Sequence, residues 1–295
     1  MSWTVFVPAA IAVLLGLLTG CLHRRLQPPV ATVALTLLSA FAALAVVAVV
    51  AVVSLLFVST VPVVADRLRW CLTLTGGHDV PAWLGTSAIA VAAVMAGSSW
   101  LAMRALHAHR SLGGGQSFLV LPTDEPAAFA VPGDPGCVVV SAGMLRALDG
   151  DERRVLLAHE RAHLARSHHR YLWVTTLAAA MVPVLRPLGE RVRFATERWA
   201  DEDAAAVVGD RHLVARALCR AALAQDAYPG HAMSLVGSGV RARVEALLEE
   251  PSPASRARPV WAFGAAALIV GTSGLVSSLQ LHHLASFASH LCGGP

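Results

Sequence analysis

Four long apolar stretches stand out along the chain, and none of them contains Asp, Glu, Arg or Lys. They are residues 3–22, 30–58, 82–103 and 260–281. A helix needs roughly 20 mostly apolar residues to cross the ~30 Å hydrocarbon core of a bilayer. The pattern therefore predicts four transmembrane helices.

The polar positions are concentrated between the third and the fourth apolar stretch. The chain has 23 basic and 19 acidic residues, and 36 of these 42 lie from Arg104 to Arg258. Only 14% of the chain is charged and 56% is hydrophobic, whereas a soluble globular protein is about 25% charged. We therefore expect a mainly α polytopic membrane protein with a polar α+β domain inserted before its last crossing.

The arginines next to the apolar stretches predict the orientation in the membrane. Arg24, Arg104 and Arg258 mark three flanks that lie on the same side if the chain crosses four times. Arginine-rich flanks face the cytoplasm. We expect a multi-pass cell-membrane protein with a cytoplasmic inserted domain and external termini, although Arg67 and Arg69 lie in a loop that this topology makes external.

The composition narrows the chemistry further. Every basic residue is Arg, which excludes catalysis by lysine and indicates a bacterium with a GC-rich genome. The net charge of +4 leaves no electrostatic footprint for direct nucleic-acid binding. Cys71 and Cys292 would face the external side, where a disulfide and two free thiols both remain open.

The inserted domain reads as a short β segment followed by helices. Residues 137–141 are β-branched and predict a strand, whereas the Pro- and Gly-rich residues 122–136 predict turns. Asp149 and Glu152 form a capping-box pattern that predicts a helix reaching about Ala165. Residues 211–225 and 241–250 predict amphipathic helices, on which Arg241 and Arg243 are interpreted as surface charges.

The first of these helices carries an H-E-x-x-H motif. His159 and His163 are four residues apart, so both imidazoles lie on one helical face and can bind one Zn²⁺. Glu160 lies beside them, where it can take a proton from an attacking water. Two unrelated histidines on a charged face are the alternative interpretation.

A second acidic pattern follows about 35 residues later. A hydrolytic zinc site needs three protein ligands, and Glu197 could be the third. Asp201 lies on the same helical face and could accept the free N–H of a zinc-bound histidine. The alternative is a solvated acidic helix face, since Glu202 and Asp203 follow directly.

The two motifs together resemble the signature of membrane gluzincins. The chain is similar to the BlaR/MecR-type membrane zinc metallopeptidase family, with HtpX-type proteases as relatives. The similarity covers about residues 118–248 and includes residues 128–133, 138–145 and 163–169. Antibiotic-sensing members carry a penicillin-binding sensor domain, and the S-x-x-K motif that such a domain requires is absent from this lysine-free chain.

The resemblance implies roles for individual residues. His159, His163 and Glu197 would bind one Zn²⁺, with Glu160 as the general base, and we expect Asp201 to support a ligand histidine. Val138, Val139 and Val140 would belong to an edge strand that pairs with extended substrate. The residue that stabilises the oxyanion stays open among His168, His169, Arg198, His212 and Tyr228.

An apolar segment at residues 171–185 could be mistaken for a fifth crossing. Fifteen residues give about 22 Å of helix, which is too short for the hydrocarbon core. A crossing would also place Glu197 on the opposite side of the membrane from His159 and His163. We therefore predict a buried or membrane-dipping helix that ends near residues 183–187.

These expectations combine into three regions and one leading function. The regions are a membrane part (1–112), a cytoplasmic zinc peptidase domain (113–255), and a fourth helix with a short external tail (256–295). The leading hypothesis is regulatory cleavage of a BlaI/MecI-like transcriptional repressor by a zinc endopeptidase. HtpX-like quality control and a non-proteolytic, zinc-organised scaffold are the alternatives, and the oligomeric state is open, a homodimer included.

Overall fold

The computed structural model describes residues 26–58, 81–108, 116–227 and 236–249, together with a few isolated positions. The described chain is mainly helical, with one small sheet. Its elements in order are α1 (Pro28–Val58), α2 (Ala82–Ala108), β1 (Phe118–Leu121), β2 (Ala128–Val131), β3 (Cys137–Ser141), α3 (Ala142–Ala147), α4 (Gly150–Ala165), α5 (His168–Met181), a 3-10 turn (Pro183–Leu185), α6 (Arg186–Val208), α7 (Arg211–Asp226) and α8 (Val236–Leu248).

Helices α1 and α2 are long and apolar enough to cross a membrane, over Pro28–Leu55 and Ala82–Leu106. They coincide with the predicted segments 30–58 and 82–103. Many of their large apolar side chains are exposed, among them Leu44, Val94 and Trp100. Exposed apolar side chains are better suited to contact with lipid than to contact with water. The predicted crossings at 3–22 and 260–281, and both of the cysteines considered for a disulfide, lie outside the described residues.

The sheet has three strands in the order β1-β3-β2. Strand β3 pairs in parallel with β1 and antiparallel with β2, and all five of its residues are buried. The strand predicted at 137–141 is confirmed, but its placement at the sheet edge is wrong. Val138, Val139 and Val140 have a strand on either side, so they cannot pair with substrate.

Strand β2 also corrects the interpretation of residues 122–136 as turns. Ala128–Val131 is a short strand inside that stretch, and its backbone pairs antiparallel with β3. Strands β1 and β2 are the outer strands of this sheet, since each pairs only with β3 among the described residues.

Helix α4 begins at the predicted capping box. The side chain of Asp149 accepts the N–H of Glu152, and Glu152 returns a bond to the backbone N–H of Asp149. The helix ends at Ala165, as predicted. Ser167 then takes a left-handed conformation with φ of 52°, which turns the chain sharply into α5.

Helices α5 and α6 form a hairpin that packs against the membrane-type helices. Leu185, Leu188 and Val192 share one buried cluster with Leu35 and Ala42 of α1. Helix α5 ends at Met181, just before Pro183, which is where the apolar helix was predicted to end. The domain boundaries and the depth of this hairpin in a membrane stay predictions.

Helices α7 and α8 cover the other side of α4 and α6. Val155, Ala204, Val214 and Leu247 belong to the cluster that joins these four helices. Fully buried Glu152 is held by Arg220 of α7 at 2.9 Å. Helices α4 and α6, which carry the H-E-x-x-H motif and Glu197, are therefore held next to each other by their packing against α7 and α8.

Candidate metal centre

In the structure, the predicted metal-ligand atoms lie close together. The Nε2 atoms of His159 and His163 on α4 are 3.1 Å apart. Glu197 on α6 faces both, with its carboxylate oxygens 3.4 Å from Nε2 of His159 and 3.6 Å from Nε2 of His163. These three side chains form the one group of metal-ligand character found among the described residues.

The spacing of these atoms fits a single zinc ion. Ligand atoms bound tetrahedrally at 2.0–2.2 Å lie about 3.3–3.5 Å from one another, close to the distances of 3.1, 3.4 and 3.6 Å seen here. Two imidazoles and one carboxylate are also a common ligand set of hydrolytic zinc sites. The residues present therefore suit Zn²⁺ with one coordination position left open.

His159 is oriented from behind by Asp201. Its Nδ1 lies 3.1 Å from a carboxylate oxygen of Asp201, which is almost fully buried. This contact leaves Nε2 free to face the centre. The structure thus places Asp201 where the spacing of the sequence motif predicted it.

Arg243 of α8 is the residue whose interpretation changes most. Its Nε and one terminal nitrogen donate to the two oxygens of Asp201 at 2.8 and 2.7 Å, and its other terminal nitrogen lies 3.0 Å from Glu197. The side chain is only 12% exposed, so the interpretation as a surface charge is wrong. Its neighbour Arg241 is exposed, as expected, and pairs with Glu245.

The spacing of Arg243 from neighbouring apolar residues is a sequence signal for its burial. Arg243 lies three residues after Val240 and four before Leu247, so it shares their helical face. Leu247 is buried in the core. An arginine on the buried face of an amphipathic helix requires an acidic partner.

The charged groups of the centre strongly change one another's pKa values. Burial raises the pKa of Glu197 and of Asp201, but the bond to His159 and the guanidinium of Arg243 more than offset this, and both pKa values fall. Burial lowers the pKa of His159, yet its bonds to Asp201 and Glu197 raise it to about 10. Because a ligand nitrogen must be unprotonated, uptake of a metal releases this proton.

Glu160 has the titration expected of a base that works near neutral pH. Its side chain is buried, and burial raises its pKa to about 7, although the nearby His159 acts in the opposite direction. A general base is most effective when its pKa lies near the working pH.

His163 is backed by a second histidine. Its Nδ1 lies 3.0 Å from Nδ1 of His168 at the start of α5, and the two rings meet nearly at right angles. Burial lowers the pKa of His163 to about 4 and that of His168 to about 3. His168 was considered only for the oxyanion, so its place behind His163 was missed.

The other residues considered for stabilising the oxyanion lie in different places. His169 lines a surface cavity together with His159, Glu160, His163 and Glu197. His212 is exposed on α7, and Tyr228 lies outside the described residues.

Strand β2 forms one wall of that cavity. Ala128, Phe129 and Ala130 line it opposite the ligand residues. A second cavity, of about 190 Å³, is also lined by Ala128 and Glu160, together with apolar residues such as Met144 and Val155. An extended chain lying along β2 would therefore pass beside Glu160.

Comparison with known proteins agrees with this chemistry. The family model described as peptidase family M48 matches residues 101–190. An HtpX protease homologue of Gemmatimonas aurantiaca is 35% identical over 86 residues, which are 28% of this chain and 30% of that protein. An HtpX protease homologue of Desulforapulum autotrophicum is 33% identical over 97 residues, 30% of each chain.

These matches cover part of the molecule. The chain spans about 30% of the length of these relatives, and no solved structure matches it. The matched region contains His159, Glu160 and His163, and α2 lies partly within it. These parts of the chain are therefore similar to peptidase family M48 and to HtpX protease homologues.

Proposed function

We propose that this chain is an integral membrane zinc endopeptidase whose active site lies on the cytoplasmic side. The observation that carries the proposal is the convergence of His159, His163 and Glu197 within 4.8 Å, with buried Glu160 beside them. His159, His163 and Glu197 would hold the ion, and Asp201 and Arg243 would keep two of these ligands in place.

The chemistry follows from the surroundings of Glu160. A bound Zn²⁺ would polarise the scissile carbonyl and make water acidic enough to react near neutral pH. Glu160, buried beside the ligand residues, takes a proton from the attacking water and delivers it to the leaving amine. A structural zinc site would have no need of a buried carboxylate beside its ligands.

Strand β2 is the strand that we propose for substrate binding. The N–H of Ser141 on β3 donates to the carbonyl of Ala127, and antiparallel pairs alternate between bonded and non-bonded positions. The backbone groups of Ala128 and Ala130 therefore point away from β3. An extended peptide could pair with them, which is a common mode of peptide recognition.

Two classes of protein substrate remain in view. Regulatory cleavage of a BlaI/MecI-like repressor was the leading hypothesis, and it rests on family resemblance alone. The two matched relatives are named as HtpX protease homologues, which favours an HtpX-like quality-control protease. Quantitative proteomics after depletion of the protein distinguishes them, because one substrate accumulates in the first case and many membrane proteins in the second.

Replacement of Glu160 tests the enzyme against the non-proteolytic scaffold. We expect purified E160Q to keep one zinc per chain and to lose peptide hydrolysis by at least about 10²-fold, the usual contribution of a general base. Cleavage of a quenched peptide library and metal analysis are the measurements. Glu190→Gln, at an exposed glutamate of α6, is the control and should leave both unchanged.

Two outcomes would count against the enzyme. If E160Q hydrolysed peptides like the unaltered protein, Glu160 would not be the base. If the unaltered protein bound zinc but cleaved nothing, while E160Q supported normal cell function, the scaffold would be favoured.

A further inference from the structure

The two ligand histidines are backed by different partners. His159 has the carboxylate of Asp201 behind it, whereas His163 has the imidazole of His168, at 3.0 Å between the two Nδ1 atoms. His168 is fully buried, and its ring packs on Trp199 with the ring centres 5.0 Å apart. The left-handed backbone of Ser167 turns the chain so that His168 reaches back to His163.

A contact between two Nδ1 atoms fixes the protons of both rings. One nitrogen must donate and the other accept, because a neutral imidazole carries one N–H and one lone pair. If His168 donated, the proton of His163 would be on Nε2 and would block that atom as a ligand. If His163 donates, its Nε2 lone pair is directed at Glu197 and His159.

The charge of the centre favours a neutral partner at this position. Asp201 is a buried carboxylate and Glu197 a partly buried one, and Arg243 is an arginine that contacts both. Before a metal binds, a further carboxylate behind His163 would be a buried negative charge that Arg243 does not contact, which is costly. An imidazole accepts the same hydrogen bond without adding charge.

We infer that His168 is a positioning residue: its Nδ1 accepts the N–H of His163 and holds His163 in the tautomer that presents Nε2 to the metal. The inference rests on the proposed ligation by His159, His163 and Glu197, and adds a residue to it. His168 then carries its own proton on Nε2, which is buried without a hydrogen-bond partner among the described residues. The ring of Trp199 packs beside it as a weak acceptor.

Two amide variants of the full-length protein separate acceptor position from polarity. In H168N the amide oxygen takes the place of Nδ1, whereas in H168Q it reaches the place of Nε2 and leaves His163 without its acceptor. We expect H168Q to bind zinc about 10- to 100-fold more weakly, the usual effect of losing such a partner. H168N should stay close to the unaltered protein, and His212→Gln at the exposed face of α7 is the control.

Zinc affinity is measured by competition with a chelator in detergent. Equal affinity of H168Q and the unaltered protein, or equally weakened H168N and H168Q, would overturn the inference. Nitrogen-15 chemical shifts of the zinc-loaded, unaltered protein give a second measurement that needs no variant. They should show a protonated Nδ1 on His163 and an unprotonated Nδ1 on His168, and the reverse would also overturn it.

The proposed function fails in a different way. If the unaltered protein bound no zinc, or if His163→Ala bound it with unchanged affinity, the ligand assignment itself would be wrong. A weakened H163A together with an unaffected H168Q would leave the peptidase in place and remove only the role of His168.

Discussion

At the scale of single residues, the centre depends on side chains that lie outside the H-E-x-x-H motif. Arg243 joins α8 to α6 through Asp201 and Glu197. Periodicity predicts which residues share a face of one helix, so it placed His163 with His159 and Asp201 with Glu197. It does not show which arginine of a distant helix meets them, nor that a left-handed residue at Ser167 brings His168 back to His163.

Replacing Arg243 should destabilise the protein strongly. R243A removes the guanidinium from the buried carboxylate of Asp201 and leaves His159 as its remaining partner. Breaking a buried ion pair costs about 3–5 kcal/mol, and the contact with His159 keeps the loss at the lower end of that range. Glu197 is 30% exposed and adds less. We expect a loss of about 3 kcal/mol in the free energy of unfolding, measured by denaturant titration of the zinc-free protein in detergent.

Arg241 provides the matched control on the same helix. Its ion pair with Glu245 is exposed on both sides, and such pairs contribute about 0–1 kcal/mol. If R241A and R243A lost equal stability, the buried network around Asp201 would not carry the energy that we assign to it.

At the scale of elements, local signals predicted where helices begin and end better than how strands pair. The capping box at Asp149 and Glu152 set the start of α4, and Pro183 marked the end of α5. The order of the strands depends on contacts between residues far apart in the chain. A run of valines such as residues 138–140 is equally compatible with a central strand and with an edge strand of a sheet. Because β3 is the central strand, we now propose the outer strand β2 for substrate binding.

A proline on β2 should separate substrate binding from folding. The N–H of Ala130 points away from β3, so A130P removes a donor at the free edge and leaves the pairing with β3 intact. One hydrogen bond contributes about 0.5–1.5 kcal/mol. We therefore expect kcat/KM for a cleaved peptide to fall about three- to tenfold at unchanged zinc content.

Phe129→Pro is the comparison for this variant. The N–H of Phe129 points toward Val139 of β3, so F129P should lower the melting temperature, whereas A130P should leave it nearly unchanged. Unchanged kcat/KM in a folded A130P protein would argue against β2 as the substrate strand.

At the scale of the whole molecule, the membrane part and the metal centre are one packed structure. Helix α5 and the first half of α6 lie between His163 and Glu197 in the chain, and this hairpin packs against α1. The predicted three-ligand site requires both motifs to lie on one side of the membrane, which is why no crossing was predicted between them. The described residues contain two helices that are long and apolar enough to be such crossings.

Cysteine labelling tests the side on which the hairpin lies. Gly189 of α6 has room for a larger side chain, with Thr175 at 3.8 Å from an ideal Cβ. In a background without reactive native cysteines, G189C should resist a membrane-impermeant maleimide added to intact cells. Trp83→Cys, at an exposed position near the start of α2, should be labelled, and labelling of G189C from outside would contradict the predicted topology.

The packing of the hairpin has a practical consequence for experiments on this protein. Leu185, Leu188 and Val192 are covered on one side by α1. A fragment that begins after α2 would expose them to water while keeping every residue of the metal centre. Such a fragment would be prone to aggregate, so inhibitor screening requires the intact chain in detergent or nanodiscs.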